Sequence, residues 1–301
     1  MNFRVTDSSF ASTLVDRIGL NRSRVDAAQE QISSGKRINR PSDDPFGTEA
    51  VLRLRTSQAS VEQFQQNGVM VKDGLQTADT ALESYEQLLD RARALLTQGA
   101  SDTTSAANRQ SIAVEIDSLR QGMLNIANTK SNGIYLFGGT RQDIAPYDAA
   151  GTPAATPNAT QMVQIAPGGA PIPAGVTAES VFANGGGTIF AGLTNVAAAL
   201  RGTGNPVADR ATVLATIDSL TAFTDLGANG RTQLGSSMNA IDDASDRLQS
   251  QSLADQTTAA RYESADLAEA AVQLTQADRA YQATLQASAY TGRHSLLDFI
   301  S

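Results

Sequence analysis

The sequence predicts a mainly α fold: a long antiparallel helical rod or coiled coil built from N- and C-terminal segments, with an inserted Gly/Pro-rich, mainly β (α+β) domain. Three observations predict it. Ala50, Leu54, Ser57, Val61, Phe64, Gly68, Val71, Leu75, Ala78, Leu82, Tyr85, Leu89, Ala92 and Leu96 keep an alternating three-four spacing with no charged residue among the fourteen, which is a heptad seam. Residues 138–230 then hold 14 of the 24 Gly, 7 of the 9 Pro and no Lys. From about Arg231 the helical pattern returns. The expected segments are an N-terminal helix and corner (1–45), rod helices (46–137), the insert (138–230), a C-terminal rod helix (231–262) and a C-terminal helix (263–301).

The first helix carries a seam at Ala11, Leu14, Ile18, Asn21, Val25, Ala28 and Ile32. Asn21 is its one polar member; it either fixes register or marks a solvent-facing slot. The corner follows at Gln31–Gly47. Gly35 is placed to end the helix in a left-handed conformation, Pro41 and Pro45 forbid continuation, and Asp44 can cap the next helix with Pro45 at its first position. The fourteen-position seam then predicts a helix of about 50 residues, about 75 Å long. A third helix has its seam at Ile112, Ile116, Leu119, Met123 and Ile126, closed by Asn132-Gly133. In the insert, Met162–Ile165 and Ile172 read as short strands between Gly and Pro punctuation. Gly185-Gly186-Gly187 reads as a turn, and two short helices are expected near 188–201 and 208–224. Beyond it, Leu234, Met238, Ile241, Ser245, Leu248 and Ser252 form one seam. After a phase slip, Leu267, Ala270, Leu274, Ala277, Tyr281, Thr284 and Ser288 form another, flanked by Ala271 and Leu285. A narrow seam cannot bury itself, so the segments 11–32 and 267–288, similar in length, are expected to pair.

Composition excludes several functions. The net charge of −8 opposes nucleic-acid binding, which needs a basic surface, and attachment to anionic membranes. With no Cys there is no disulfide framework, Cys-ligated zinc or Cys nucleophile. No apolar run is long enough to span a bilayer. Met1–Asp7 lacks the apolar block of a secretory signal peptide. The only histidine, His294 beside Arg293, reads as a surface residue rather than part of a triad. Asp43-Asp44 could hold a cation, but capping accounts for Asp44 without a metal. Asp242, Asp243 and Asp246 read as a solvated helix face, and Arg40, Arg53 and Arg55 as a small basic cluster. No Walker or dinucleotide fingerprint is present. The residues themselves imply no cofactor, metal or catalytic group.

The run Ile-Ser-Ser-Gly-Lys-Arg-Ile-Asn at 32–39, followed by Pro41-Ser42-Asp43-Asp44-Pro45, resembles the N-terminal signature of the flagellin superfamily. Its Pro-Ser-Asp-Asp-Pro form is similar to members that join hook to filament. Asp266–Ala270, Gln282–Ala287 and Ser295–Asp298 resemble that family's C-terminal region, and Ile134–Thr140 matches more loosely. The resemblance implies a non-enzymatic structural subunit of the bacterial flagellum, extracellular and exported by the flagellar type III apparatus without a cleaved signal peptide. It implies further copies of the same chain in a ring-like homo-oligomer, the other hook-associated junction protein, flagellin and an export chaperone as partners. Filament flagellin is the rival within the family. A secreted coiled-coil protein with binding or hydrolytic activity in its middle is the rival outside it. Assembly contacts are expected at Leu14, Ile18, Asn21, Val25, Ile32, Arg40, Asp43, Asp44, Leu267, Leu274, Tyr281 and Leu285, and at the apolar Leu296, Leu297, Phe299 and Ile300. In the family reading the basic cluster pairs with acidic groups of neighbouring subunits.

Overall fold

Local chemistry starts and stops each helix of this chain. The computed structural model describes residues 3–154 and 158–300, with side chains described over 12–154 and 158–290. The elements run α1 (Phe3–Ser34), α2 (Pro45–Gly99), α3 (Ala106–Ala127), β1 (Lys130–Ser131), β2 (Ile134–Tyr135), β3 (Met162–Val163), β4 (Ile172–Pro173), α4 (Ala178–Phe182), β5 (Ala183–Asn184), β6 (Gly187–Thr188), α5 (Ile189–Arg201), α6 (Pro206–Glu263) and α7 (Leu267–Ile300). Side chains of Ser105, Thr177 and Thr188 accept from backbone N–H groups of the first turns of α3, α4 and α5, as N-caps do. The strands form three antiparallel pairs, β1–β2, β3–β4 and β5–β6. The fold is mainly α with a small β insert, as expected.

Two expected helix boundaries differ from the structure. Asn132-Gly133 does not close α3. That helix ends at Ala127, and the pair instead makes the two-residue turn joining β1 to β2, with φ of 52° and 84°. Such a turn needs positive φ at both positions, which Asn-Gly supplies. The helix expected near 208–224 is the opening of α6, which runs unbroken to Glu263. Position 230/231, where the composition changes, therefore lies inside a helix. Gly227 and Gly230 of this helix are packing sites. A Cβ at Gly230 would stand 3.2 Å from Leu82 Cδ1 and from Val181 Cγ2, and one at Gly227 would stand 3.6 Å from the Tyr85 ring.

The chain divides into two compact units, Met1–Ser60 with Gln251–Ser301, and Val61–Ser250. The second holds most of the core. All of the α2 seam from Leu75 to Leu96 is buried, and no member of the fourteen-position seam is exposed. α6 runs antiparallel to it: Arg231 bridges Asp79 (2.8 Å) and Glu86 (3.0 Å), and Lys72 meets Asp242 (2.5 Å). Along α6, Leu234, Ile241 and Leu248 are buried as expected, but Ala244 takes the place assigned to Ser245, which is exposed. α3 packs against α5.

Five aromatic rings cluster in this unit. The Phe182 ring meets Tyr85 edge-on at 4.8 Å and Phe137 at 5.6 Å, and Phe190 meets Tyr147 at 4.7 Å. Low aromatic content thus coexists with a well-filled core, because four rings gather around Phe182. Burial raises the pKa of both tyrosines well above the ordinary phenol value. The Tyr147 hydroxyl donates to Ala178 O (3.4 Å), whereas the Tyr85 hydroxyl is buried without a hydrogen-bond partner.

Leu75→Ala removes a fully buried side chain and is expected to cost about 2–5 kcal/mol, read as a fall in urea midpoint. Tyr85→Phe is expected to act the other way. It removes an unpaired buried hydroxyl whose desolvation costs about 1–3 kcal/mol, so the thermal midpoint should hold or rise.

Candidate functional site

The first unit is built around two corners that meet. α1 stops at Gly35, whose φ of +67° is the left-handed conformation the sequence anticipates. α6 stops at Glu263, and Asp266 begins α7 by accepting from the N–H groups of Ala268 (2.9 Å) and Glu269 (3.1 Å). Between the two stops the main chains pair. Arg37 N–H donates to Glu263 O (2.6 Å), Ala265 N–H donates to Gly35 O (3.0 Å), and Lys36 faces Ser264 in an antiparallel bridge.

Side chains complete this joint. Arg37 donates to Tyr262 O (3.0 Å) and pairs with Asp44 (3.0 Å). Glu263 takes Lys36 (3.5 Å) and Arg55 (2.5 Å). Asp43 Oδ2 accepts from Asn39 N–H (3.1 Å) and Arg40 N–H (2.8 Å), closing the loop. Asp44 Oδ1 accepts from Gly47 N–H (2.8 Å) and caps α2. A Cβ at Gly47 would lie 2.5 Å from Asp44 Oδ2 and 2.6 Å from Ile38 Cδ1, so this position admits no side chain without moving the cap. Both aspartates are engaged by backbone donors. Among the described residues no cluster of side chains could hold a metal ion.

From the joint, α1 and α7 run antiparallel against each other. Of the expected seam, Leu14, Ile18, Asn21 and Val25 on α1 and Leu274 and Tyr281 on α7 are half-buried, and Ala28 and Ala270 are buried. Asn21 Nδ2 donates to Thr284 Oγ1 (3.4 Å) and approaches Ala280 O (3.5 Å), so the polar member of one seam meets a polar member of the other. That is the register reading of Asn21. Leu267, Leu285 and Ile32 lie on the exposed side, because Leu267 opens α7 directly after the joint and Ile32 precedes it by one turn. The side chains of Ala11, His294, Leu296, Leu297, Phe299 and Ile300 lie outside the described residues.

The basic cluster has acids within the chain: Arg40 meets Glu30 (3.2 Å), Arg53 meets Glu49 (3.9 Å) and Arg55 meets Glu263. Sequence reasoning missed Glu263, Arg37 and Asp266. The last was legible, because Asp266 followed by Glu269 before an apolar run is the signature of a helix start. Glu263 was not, because nothing local says that residue 263 will meet residues 36 and 55.

Comparison with known proteins agrees with this layout. Residues 6–142 match the family model of the bacterial flagellin N-terminal helical region. Over 122 residues the chain is 30% identical to flagellar hook-associated protein 3 of Salmonella typhimurium, covering 40% of this chain and 38% of that protein. Over 126 residues it is 34% identical to flagellin of Listeria innocua, covering 42% of this chain and 44% of that protein. The matches span well under half the length of these curated relatives. The fold is similar to that of flagellar hook associated protein-3 from Legionella pneumophila, with a TM-score of 0.61 at 13% identity, covering 69% of this chain and 97% of that one. Residues 6–142 are thus similar to the bacterial flagellin N-terminal helical region, and the resemblance carried by Ile32–Pro45 is borne out.

The Asp44 cap should be sensitive to acid. The Gly47 N–H, and then the Arg37 guanidinium, hold its carboxyl below the ordinary aspartate value. The stabilisation is therefore present above that ordinary value and lost as pH falls through the lowered one. The protection of the Gly47 amide, taken relative to its intrinsic exchange rate at each pH, should fall in that acid range in the wild type, while Asp44→Asn should show no such step. A second expectation follows from burial. Amides of α1 from 12 to 32 and of α7 from 267 to 288 should exchange faster than those of α2 from 75 to 96, since half-buried helices open at lower cost. Equal protection would contradict this.

Proposed function

We propose that this chain is a structural subunit of the bacterial flagellum that forms the junction between hook and filament by helix-mediated self-assembly. One observation carries the reading. In a chain with a flagellin N-terminal region, α1 and α7 pair with each other yet leave apolar side chains uncovered. Val15 is 67% exposed, Leu20 53%, Leu267 55% and Val272 56%. A two-helix layer buries too little to satisfy these residues, and equivalent helices of neighbouring copies supply the missing surface, each contact repeated by symmetry. The mechanism is mechanical and uses no cofactor. The partners in this reading are further copies of the chain in a ring, the other hook-associated junction protein, flagellin and an export chaperone. The site of action in this reading is the extracellular flagellum.

The identity to Listeria flagellin supports a second reading, filament flagellin. Purified protein separates the two: self-polymerisation into long filaments selects flagellin, and ring-limited assembly selects the junction role.

The deciding test is complementation of a strain lacking the gene, scored by electron microscopy. The wild-type chain should restore filaments on hooks. Val15→Asp with Leu20→Asp should be exported yet leave hooks bare. A chain ending at residue 288 should behave the same way, because it lacks Leu296, Leu297, Phe299 and Ile300. Attached filaments and normal swimming with both variants would remove the assembly role from these residues.

A further inference from the structure

Within the second unit a groove of about 860 Å³ opens where the last turns of α2 and α5 face the first turns of α3 and α6. Its size lies within the usual range of binding clefts. One wall is an uncovered stripe of α6. Val207 is 81% exposed and Leu214 47%, and with Ala211 between them they follow helical spacing along one face. The floor is Gly99 with the buried Leu200 and Val213. The opposite wall carries Arg109 from α3.

The charges around the groove are mostly spoken for. Arg210 is bonded to Asp102 and Arg201 to Asp117. Asp209 accepts from the Thr203 N–H (2.9 Å) and hydroxyl (2.6 Å). Arg109 differs. It is half-buried, and among the described residues no carboxylate is in ion-pair contact with it. It influences Asp102 electrostatically, but that carboxylate is already taken by Arg210. Arg109 also stands near the N-terminus of α3, where the helix dipole disfavours a cation. The α3 dipole therefore gives no reason for a cation at this position, and an incoming carboxylate would.

We propose that this groove docks an acidic amphipathic helix of a partner protein. The apolar face of that helix packs between the Val207–Leu214 stripe and the floor, and a flanking Asp or Glu meets the Arg109 guanidinium. This is the helix-in-groove mode of recognition with one charge-assisted anchor. It is independent of the role assigned to α1 and α7.

The test uses the full chain and two labelled helical peptides of about four turns that share a Leu/Ala face. One is flanked by Glu, the other by Lys, and binding is read by fluorescence anisotropy. The Glu peptide should bind saturably and the Lys peptide at least about tenfold more weakly. Arg109→Glu should reverse the preference. That change leaves the helix sound, since an acid near a helix N-terminus is favoured, and circular dichroism checks it. Val207→Asp, at an exposed position, should weaken the Glu peptide without rescuing the Lys peptide. The proposal is overturned if the Glu peptide does not saturate, if Arg109→Glu leaves the preference unchanged, or if Val207→Asp has no effect.

Discussion

Between Gly35–Arg37 and Glu263–Ala265 the main chain pairs with itself across more than two hundred residues of sequence. The rest of the first unit depends on this contact. Two helices joined only by a distant connection could slide by a turn at small cost, because their seam residues are mostly Ala and mid-sized aliphatics. The paired backbone removes that freedom at one end. It places Asn21 opposite Thr284 and Ala28 and Ala270 at the tightest part of the contact. Glu263 reinforces the joint from α6 by taking cations from both the corner and α2. Left-handed Gly35 makes the pairing possible: a residue with a Cβ would be strained there, and the chain would leave α1 in another direction.

The second unit relies on a different economy. Its long helices meet through a continuous apolar seam, and glycines at 227 and 230 let α6 approach Tyr85 and Leu82. Phe182 then meets Tyr85 of α2, and Phe137, Tyr147 and Phe190 pack around Phe182. The Arg231 bridge to Asp79 and Glu86 is half-exposed. Pairs of that kind add little net stability, and its clearer effect is to fix the register of α2 against α6.

Much of this was legible in the sequence, and the reasons differ by residue. The helix from Pro45 to Gly99 was readable because spacing alone carries it, and its cap was readable because Asp44-Pro45 is a local signal. The strand pairs were readable as pieces, from Gly and Pro punctuation around Met162 and Ile172. The end of α3 and the start of α6 were misplaced for one shared reason: Gly and Asn in a helical or loop context carry two meanings. Asn132-Gly133 serves a hairpin, and Gly230 serves close packing. Ser245 was assigned to a seam by strict alternation, whereas the helix uses the neighbouring Ala244, where the phase of a real helix drifts from the heptad. Of the site, the seams were legible and the joint was not. Its parts are ordinary polar residues whose meaning depends on a contact between sequence-distant segments.

The seams of α1, α7 and α2 share one spacing but differ in burial, and this difference bears most on function. Spacing tells which face of a helix seeks cover; it does not tell how many elements will provide it. Leu75, Leu82, Leu89 and Leu96 are enclosed because α3, α4, α5 and most of α6 lie in their unit. Leu14, Ile18, Leu274 and Tyr281 have chiefly each other's helix, and they remain half-open. Nothing in the composition of α1 would prevent fuller burial, since Val15 and Leu20 are as apolar as the residues of a core. Exposed aliphatics on a helix that is already paired are costly to keep in water at about 25 cal/mol per Å². The cost is recovered only if further helices arrive. The assembly proposed above would use this property: a contact set that one copy leaves incomplete and an array of copies would fill.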